Sequence, residues 1–137
     1  MVGIENFKGE IIHSSDYRSG EKYKDKKVLV VGSGNSGMEI AFDLSSYEGL
    51  KSIVVRSPIH VLTREMVYTA TLLLIYLPVS SVDTVIPKYT KFKFGNLEEL
   101  GIPQPEEGPF SVKISNGRSP VIDVGAIDKI KLGQIKV

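Results

Sequence analysis

Lys27-Val28-Leu29-Val30-Val31-Gly32-Ser33-Gly34-Asn35-Ser36-Gly37-Met38-Glu39-Ile40-Ala41 reads as a buried β-strand that delivers Gly-x-Gly-x-x-Gly straight into an amphipathic helix. The three glycines of such a pattern are expected to serve different ends. Gly32 makes the tight turn, Gly34 lets backbone N–H groups approach a pyrophosphate, and Gly37 lets the helix pack closely on the strand. The pyrophosphate then meets the positive end of the helix dipole. A tight strand-to-helix turn with no ligand is the alternative reading of the same residues.

Working outward, the spacing predicts a first strand over 27–31 and a helix over about 35–47, with Met38, Ile40, Ala41, Phe42 and Leu44 facing inward and Gly49 ending it. A second strand is expected over 52–56. Together they form a β-α-β unit, whose ligand belongs beyond the carboxyl ends of the two strands. A nicotinamide site with a free ribose 2′-hydroxyl wants Asp or Glu at the end of the second strand, and Arg56 stands there. A guanidinium suits a 2′-phosphate, so NADPH is expected over NADH. Ser57 adds a hydroxyl donor, and Arg64 is a second cation close in sequence. Gly37 argues the other way, because the third glycine is often Ala in NADP sites. The missing acid outweighs it.

The candidate cofactor residues are therefore Gly32, Ser33, Gly34, Asn35, Ser36, Gly37, Arg56, Ser57 and Arg64. Asn35 and Ser36 either cap the helix or donate to phosphate oxygens. Arg56 and Arg64 have the alternative of being solvated surface charges. His13 and His60 belong to no metal-ligand spacing, so no metal is expected, and no residue is assigned to catalysis.

Composition sets bounds on the rest. At 137 residues, with 42% hydrophobic and 24% charged residues, the chain is one ordinary globular domain in size. A formal charge of +1 supplies no global field for nucleic acid, and the absence of cysteine removes disulfides and thiolate chemistry. The start lacks a secretory pattern, which suits an intracellular chain. The uncharged stretch 66–82 is too short and too rich in Thr, Ser and Pro for a transmembrane span, so a buried or surface-lying helix is expected there.

Residues 1–26 read as a polar, turn-rich connector and 27–137 as the nucleotide-binding domain. After Pro58 the period becomes helical, over 65–77 and 82–100 with breaks at Pro78 and Pro87, and this excursion (about 59–110) replaces the expected third strand. Residues 101–110 form a Pro-rich loop, 112–114 a hairpin-like piece turning at Asn116-Gly117, 123–131 a short helix, and 135–137 a final β-like run. The fold class is α/β, Rossmann-like, with a parallel sheet. About three strands is few for an open parallel sheet, so the chain looks like part of something larger, cut short at its C-terminus.

The entry segment Phe7-Lys8-Gly9-Glu10-Ile11-Ile12-His13-Ser14-Ser15-Asp16-Tyr17-Arg18 resembles the Phe-x-Gly-x-x-x-His-Ser-x-x-Tyr signature of flavin-containing monooxygenases, which lies just ahead of their NADPH glycine motif. The glycine turn, Val55-Arg56-Ser57, His60-Val61-Leu62 and Pro120-Val121-Ile122-Asp123-Val124-Gly125 look more narrowly like the plant YUCCA branch. The resemblance implies a two-domain flavoprotein in which FAD, reduced by NADPH, reacts with molecular oxygen. For that branch it implies oxidative decarboxylation of indole-3-pyruvate to the auxin indole-3-acetic acid. It places the protein in the cytoplasm, with attachment at the endoplasmic reticulum surface left open. His13 is either a hydrogen-bonded strut or a cofactor contact. The family's FAD glycine motif is not present in this sequence, so the alternative is a non-catalytic NADP(H)-binding or interaction module.

Overall fold

The computed structural model describes residues 2–137. Strand β1 (Val28–Val31) leads through the glycine turn into helix α1 (Asn35–Ser45), and the chain returns as β2 (Lys51–Val54). The two strands pair in parallel, with Val28 opposite Lys51 and Val31 opposite Val54. The final run adds to the free edge of β2: Ile53 N–H donates to Lys136 O at 2.8 Å and Lys136 N–H to Lys51 O at 2.9 Å. The β-α-β unit thus forms as expected, with β2 over 51–54 rather than 52–56, and the last β-like run joins it through a single bridge at Lys136.

The strand is less buried than its sequence suggests. Val30 packs against the core beneath α1, whereas Leu29 and Val31 point to the other face and remain 59% and 56% exposed. Parallel strands need cover on both faces. Among the described residues, helical cover of β1 comes from α1. The buried positions of α1 are Met38, Ala41 and Leu44, while Ile40 and Phe42 are half-buried.

Beyond β2 a second parallel pair departs from the expected single helical excursion: β3 (Val61–Leu62) lies beside β4 (Val121–Ile122). Between them run α2 (Arg64–Tyr76) and α3 (Val79–Phe94). Pro78 separates the helices as expected, but Pro87 sits inside α3 without ending it. A helical proline forfeits a hydrogen bond and strains the preceding turn. Here Val82, Ile86, Thr90 and Phe94 bury one stripe on both sides of it, and packing wins. The helix stops at Gly95, so 82–100 is helix, loop and a separate 3-10 turn over Glu98–Leu100.

Residues 109–116 correct the hairpin expectation, because they form helix α4 (Pro109–Asn116). Pro109 occupies the first helical position, which tolerates its missing N–H. Asp83 of α3 caps it from outside: Oδ1 accepts from Phe110 N–H at 2.9 Å, and Oδ2 from Ser111 N–H at 2.8 Å and Ser111 Oγ–H at 2.5 Å. Asn116-Gly117, read as a hairpin turn, is instead the helix end, with Gly117 in the left-handed region donating to Lys113 O. The short helix expected over 123–131 is α5 (Ala126–Lys131).

One core joins these elements, from Met38 and Ile53 through Leu62, Met66 and Ile86 to Val121, Ile127 and Ile135. Helix α2 buries Met66 and Ala70 but carries apolar side chains all round, leaving Tyr68, Leu72, Ile75 and Tyr76 exposed. Among the described residues no helix is long and apolar enough to cross a membrane.

Candidate cofactor-binding site

The three glycines of the turn differ in what surrounds them. Gly32 has φ +112°, a conformation side chains resist, and its N–H still donates to Val54 O at 3.2 Å, so the chain leaves the sheet abruptly. At Gly37 a Cβ would overlap Gly32 O and stand 3.0 Å from the carbonyl carbon behind it, so the first turn of α1 rests directly on the backbone of the glycine turn. Both match the roles expected of them. Gly34 is different: its φ of −72° suits any residue, and a Cβ there would meet nothing within 4 Å. The protein's own packing does not demand glycine at that position.

Gly34 is the N-cap of α1 and contributes no side-chain cap; its carbonyl accepts from Met38 N–H at 3.0 Å. The N–H groups of Asn35, Ser36 and Gly37 lie in the first turn, where helix geometry offers them no acceptor. Asn35 does not cap the helix. Its Oδ1 accepts from Ile122 N–H at 2.8 Å, tying the glycine turn to β4 and leaving its NH₂ as a donor. Ser33 is buried and Ser36 exposed.

A cleft of about 600 Å³ opens beside this turn, and Gly34, Ser57, His60, Glu107 and Arg118 are among the residues that line it. Burial pushes the His60 imidazole below its ordinary pKa, opposed by its Nε2 contact to Glu107 O at 2.7 Å and by the charge of Asp83. Arg56 lies just past β2 and is exposed, since the strand ends at Val54, two residues earlier than expected. Gly34 and Ser57 thus share one wall system.

Arg64, expected in the same pocket, lines a separate cavity of about 450 Å³ with Lys93, Asp123 and Asp128. Thr63 Oγ1 accepts from Met66 N–H at 3.2 Å and starts α2, so Arg64 is the first residue of that helix and lines this separate cavity with Thr63 and Glu65. Arg118, Glu106 and Glu107 were not singled out by sequence. Arg118 reaches the cleft through the pairing of β3 with β4, for which the usable signal was the short apolar pair Val121-Ile122 behind Pro120, and Glu107 is held there by its carbonyl's contact with His60 Nε2.

The connector is bolted to the same unit. Tyr17 O–H donates to Asp43 Oδ2 of α1 at 2.5 Å, and Gly20 N–H donates to the same oxygen at 2.8 Å. Burial, followed by the Asp43 bond, raises the phenol's pKa. Lys51, 2% exposed, donates to the Tyr23 and Lys26 carbonyls at 2.8 and 3.0 Å, and burial lowers its pKa. Glu10 and Lys22 form an ion pair across the segment. His13 is exposed, and its Nδ1 accepts from Ser15 N–H at 3.2 Å to cap a 3-10 turn.

With this geometry in hand, comparison with known proteins is decisive at the family level. A family model described as flavin-binding monooxygenase-like matches residues 1–90. The chain belongs to that family. The matched span holds the connector, the glycine turn and Arg56, so the bolts through Tyr17 and Lys51 belong to the part shared with flavin-binding monooxygenases. Two plant relatives extend the likeness to the rest. The chain is 49% identical over 137 residues to the probable indole-3-pyruvate monooxygenase YUCCA10 of Arabidopsis thaliana, covering all of this chain and 36% of that protein. It is 47% identical over 142 residues to the indole-3-pyruvate monooxygenase YUCCA4 of Oryza sativa subsp. japonica, covering all of this chain and 32% of that one. The chain spans about a third of the length of these relatives.

Proposed function

We propose that this chain is the NADPH-binding portion of a flavin-dependent monooxygenase. The observation that carries the reading is Gly34: a glycine with ordinary φ and open space over its Cβ, set at the start of an 11-residue helix. A glycine that the fold does not need is explained by a ligand that comes close to the backbone. The first-turn N–H groups of Asn35, Ser36 and Gly37 then bind the pyrophosphate oxygens, with the Asn35 NH₂ and Ser36 hydroxyl beside them. Arg56 and Ser57, beyond the carboxyl end of β2, take the 2′-phosphate. Open space over Gly34 and first-turn N–H groups without helical acceptors are the chemistry that a pyrophosphate needs.

Bound NADPH supplies the hydride that a flavin accepts, and the family implies FAD as that acceptor. The chain's own residues hold and orient the donor. The connector fixes the donor site relative to whatever lies N-terminal to Tyr17, because Asp43 joins that tyrosine and Gly20 to α1. In the complete enzyme the substrates are molecular oxygen and indole-3-pyruvate, and with NADPH as reductant the products are indole-3-acetic acid, carbon dioxide and water; the names of the plant relatives given above support the choice of indole-3-pyruvate.

The test is nucleotide preference. The flavoprotein containing this chain should oxidise NADPH at least tenfold more efficiently than NADH, and Arg56→Gln should erase most of that difference. Equal use of both nucleotides by the unaltered protein would refute the role of Arg56. Binding of NADP(H) with neither bound flavin nor oxygen consumption would favour a non-catalytic module.

A further inference from the structure

We propose that Arg118 is the second cation of the nucleotide site and holds the phosphate that distinguishes NADPH from NADH. This rests on the reading of the glycine turn as a dinucleotide site. Arg118 lies in the connection from α4 to β4, 61 residues beyond Ser57, outside the segment where a 2′-phosphate ligand is ordinarily sought. Two bonds bring it there. Val121 N–H donates to His60 O at 2.8 Å, laying residues 118–120 alongside the loop that follows β2. Ile122 N–H donates to Asn35 Oδ1 at 2.8 Å, fixing the same connection against the start of α1.

The result is one cleft of about 600 Å³ whose lining includes the glycine turn at Gly34, the hydroxyl of Ser57, and Arg118. A dinucleotide whose pyrophosphate lies on Gly34 places its adenosine ribose beyond the end of β2, in this cleft. Arg118 is exposed, and it enters none of the ion pairs found among the described residues, so its guanidinium is free for a ligand. Charge balance gives it a specific role. Glu106 and Glu107 share the lining, and burial disfavours the charged form of His60, so without Arg118 the cleft presents two carboxylates and no permanent cation to an incoming phosphate. A guanidinium also matches phosphate with paired N–H donors, which an ammonium cannot do. Arg56, next to Ser57 in sequence, is exposed and does not line this cleft. Arg64 lines the other cavity and takes no part.

The experiment measures binding of NADPH, NADH and adenosine 2′,5′-bisphosphate to the purified chain by calorimetry, with circular dichroism to show that each variant is folded. Arg118→Gln is expected to weaken NADPH and adenosine 2′,5′-bisphosphate about tenfold or more and to leave NADH within twofold. Arg118→Lys should recover part of the loss, and Arg64→Gln should change nothing. Unchanged NADPH affinity in Arg118→Gln, with a loss in Arg56→Gln, would overturn the role of Arg118 and leave the dinucleotide reading intact. An equal loss of NADPH and NADH in Arg118→Gln would overturn it too, since that marks a structural effect. Failure of the folded, unaltered chain to bind any of the three probes would overturn both readings together.

Discussion

Replacing Gly34 and Gly37 by alanine, one at a time, separates the demands of the fold from those of the ligand. At Gly37 the new methyl would overlap Gly32 O, a backbone atom that cannot swing aside, and press to 3.0 Å from its carbon, so α1 must lift from the glycine turn by about 1 Å. Overpacking of this kind costs about 1–3 kcal/mol, and the better helix propensity of alanine returns up to about 1 kcal/mol. The net loss of about 1–2 kcal/mol lowers the melting temperature of a chain this size by roughly 3–8 °C. At Gly34 the methyl meets no protein atom within 4 Å and the φ of −72° is ordinary, so stability should stay within about 0.5 kcal/mol of the original. That same methyl fills the space assigned to the pyrophosphate, and NADPH affinity should fall tenfold or more. Thermal melts and NADPH titrations on both variants read the two effects independently. If Gly34→Ala melts as early as Gly37→Ala, or binds NADPH as the unaltered chain does, the division of labour among these glycines is wrong.

Asp83→Ala removes three hydrogen bonds that start α4 and should cost about 1–3 kcal/mol in chemical denaturation; a loss below about 0.5 kcal/mol would show that Pro109 alone starts the helix. Asn35→Ala should cost about 1 kcal/mol and speed amide exchange at Ile122, and unchanged exchange there would contradict the tie between α1 and β4. Burial disfavours the charged form of His60, so its folded pKa lies below its unfolded value of about 6.5. Its stabilising contribution is therefore complete above about pH 6.5 and is lost as the pH falls from there through the lowered folded value, because the unfolded state takes up the proton first. The melting temperature of His60→Gln should fall less steeply from pH 7 to pH 5 than that of the unaltered chain; identical slopes would exclude His60 as a source of acid sensitivity.

What could be read from the residues was what depends on near neighbours. The strand, glycine turn, α1 and β2 follow from apolar runs and glycines within 28 residues, and the reasons for Gly32 and Gly37 lie inside the turn itself. Features set by distant partners were not visible. Residues 112–117 look like a hairpin because Asn116-Gly117 suits one, yet Asp83, 27 residues before Phe110, supplies the cap that makes a helix. Strands β3 and β4 have two residues each and exist only as a pair, too short for any periodicity. That pair also decides the cations: sequence nearness pointed to Arg64, whereas the start of α2 removes Arg64 from the cleft and β4 brings Arg118 in. Pro87 inside α3 is a case of buried packing overriding a local breaker. Leu29, Val31 and the outer side of α2 show the reverse, apolar residues that stay exposed despite a buried-looking pattern.

The claim that matters most is that the turn between β1 and α1 holds a nicotinamide dinucleotide, and amide shifts in a titration of the isotopically labelled chain with NADP⁺ address it residue by residue. Saturable one-to-one shifts are expected at Gly34, Asn35, Ser36 and Gly37, with accompanying changes at Ser57. No shift at these amides when NADP⁺ is in excess, or shifts confined to the cavity around Arg64 and Asp128, would contradict it.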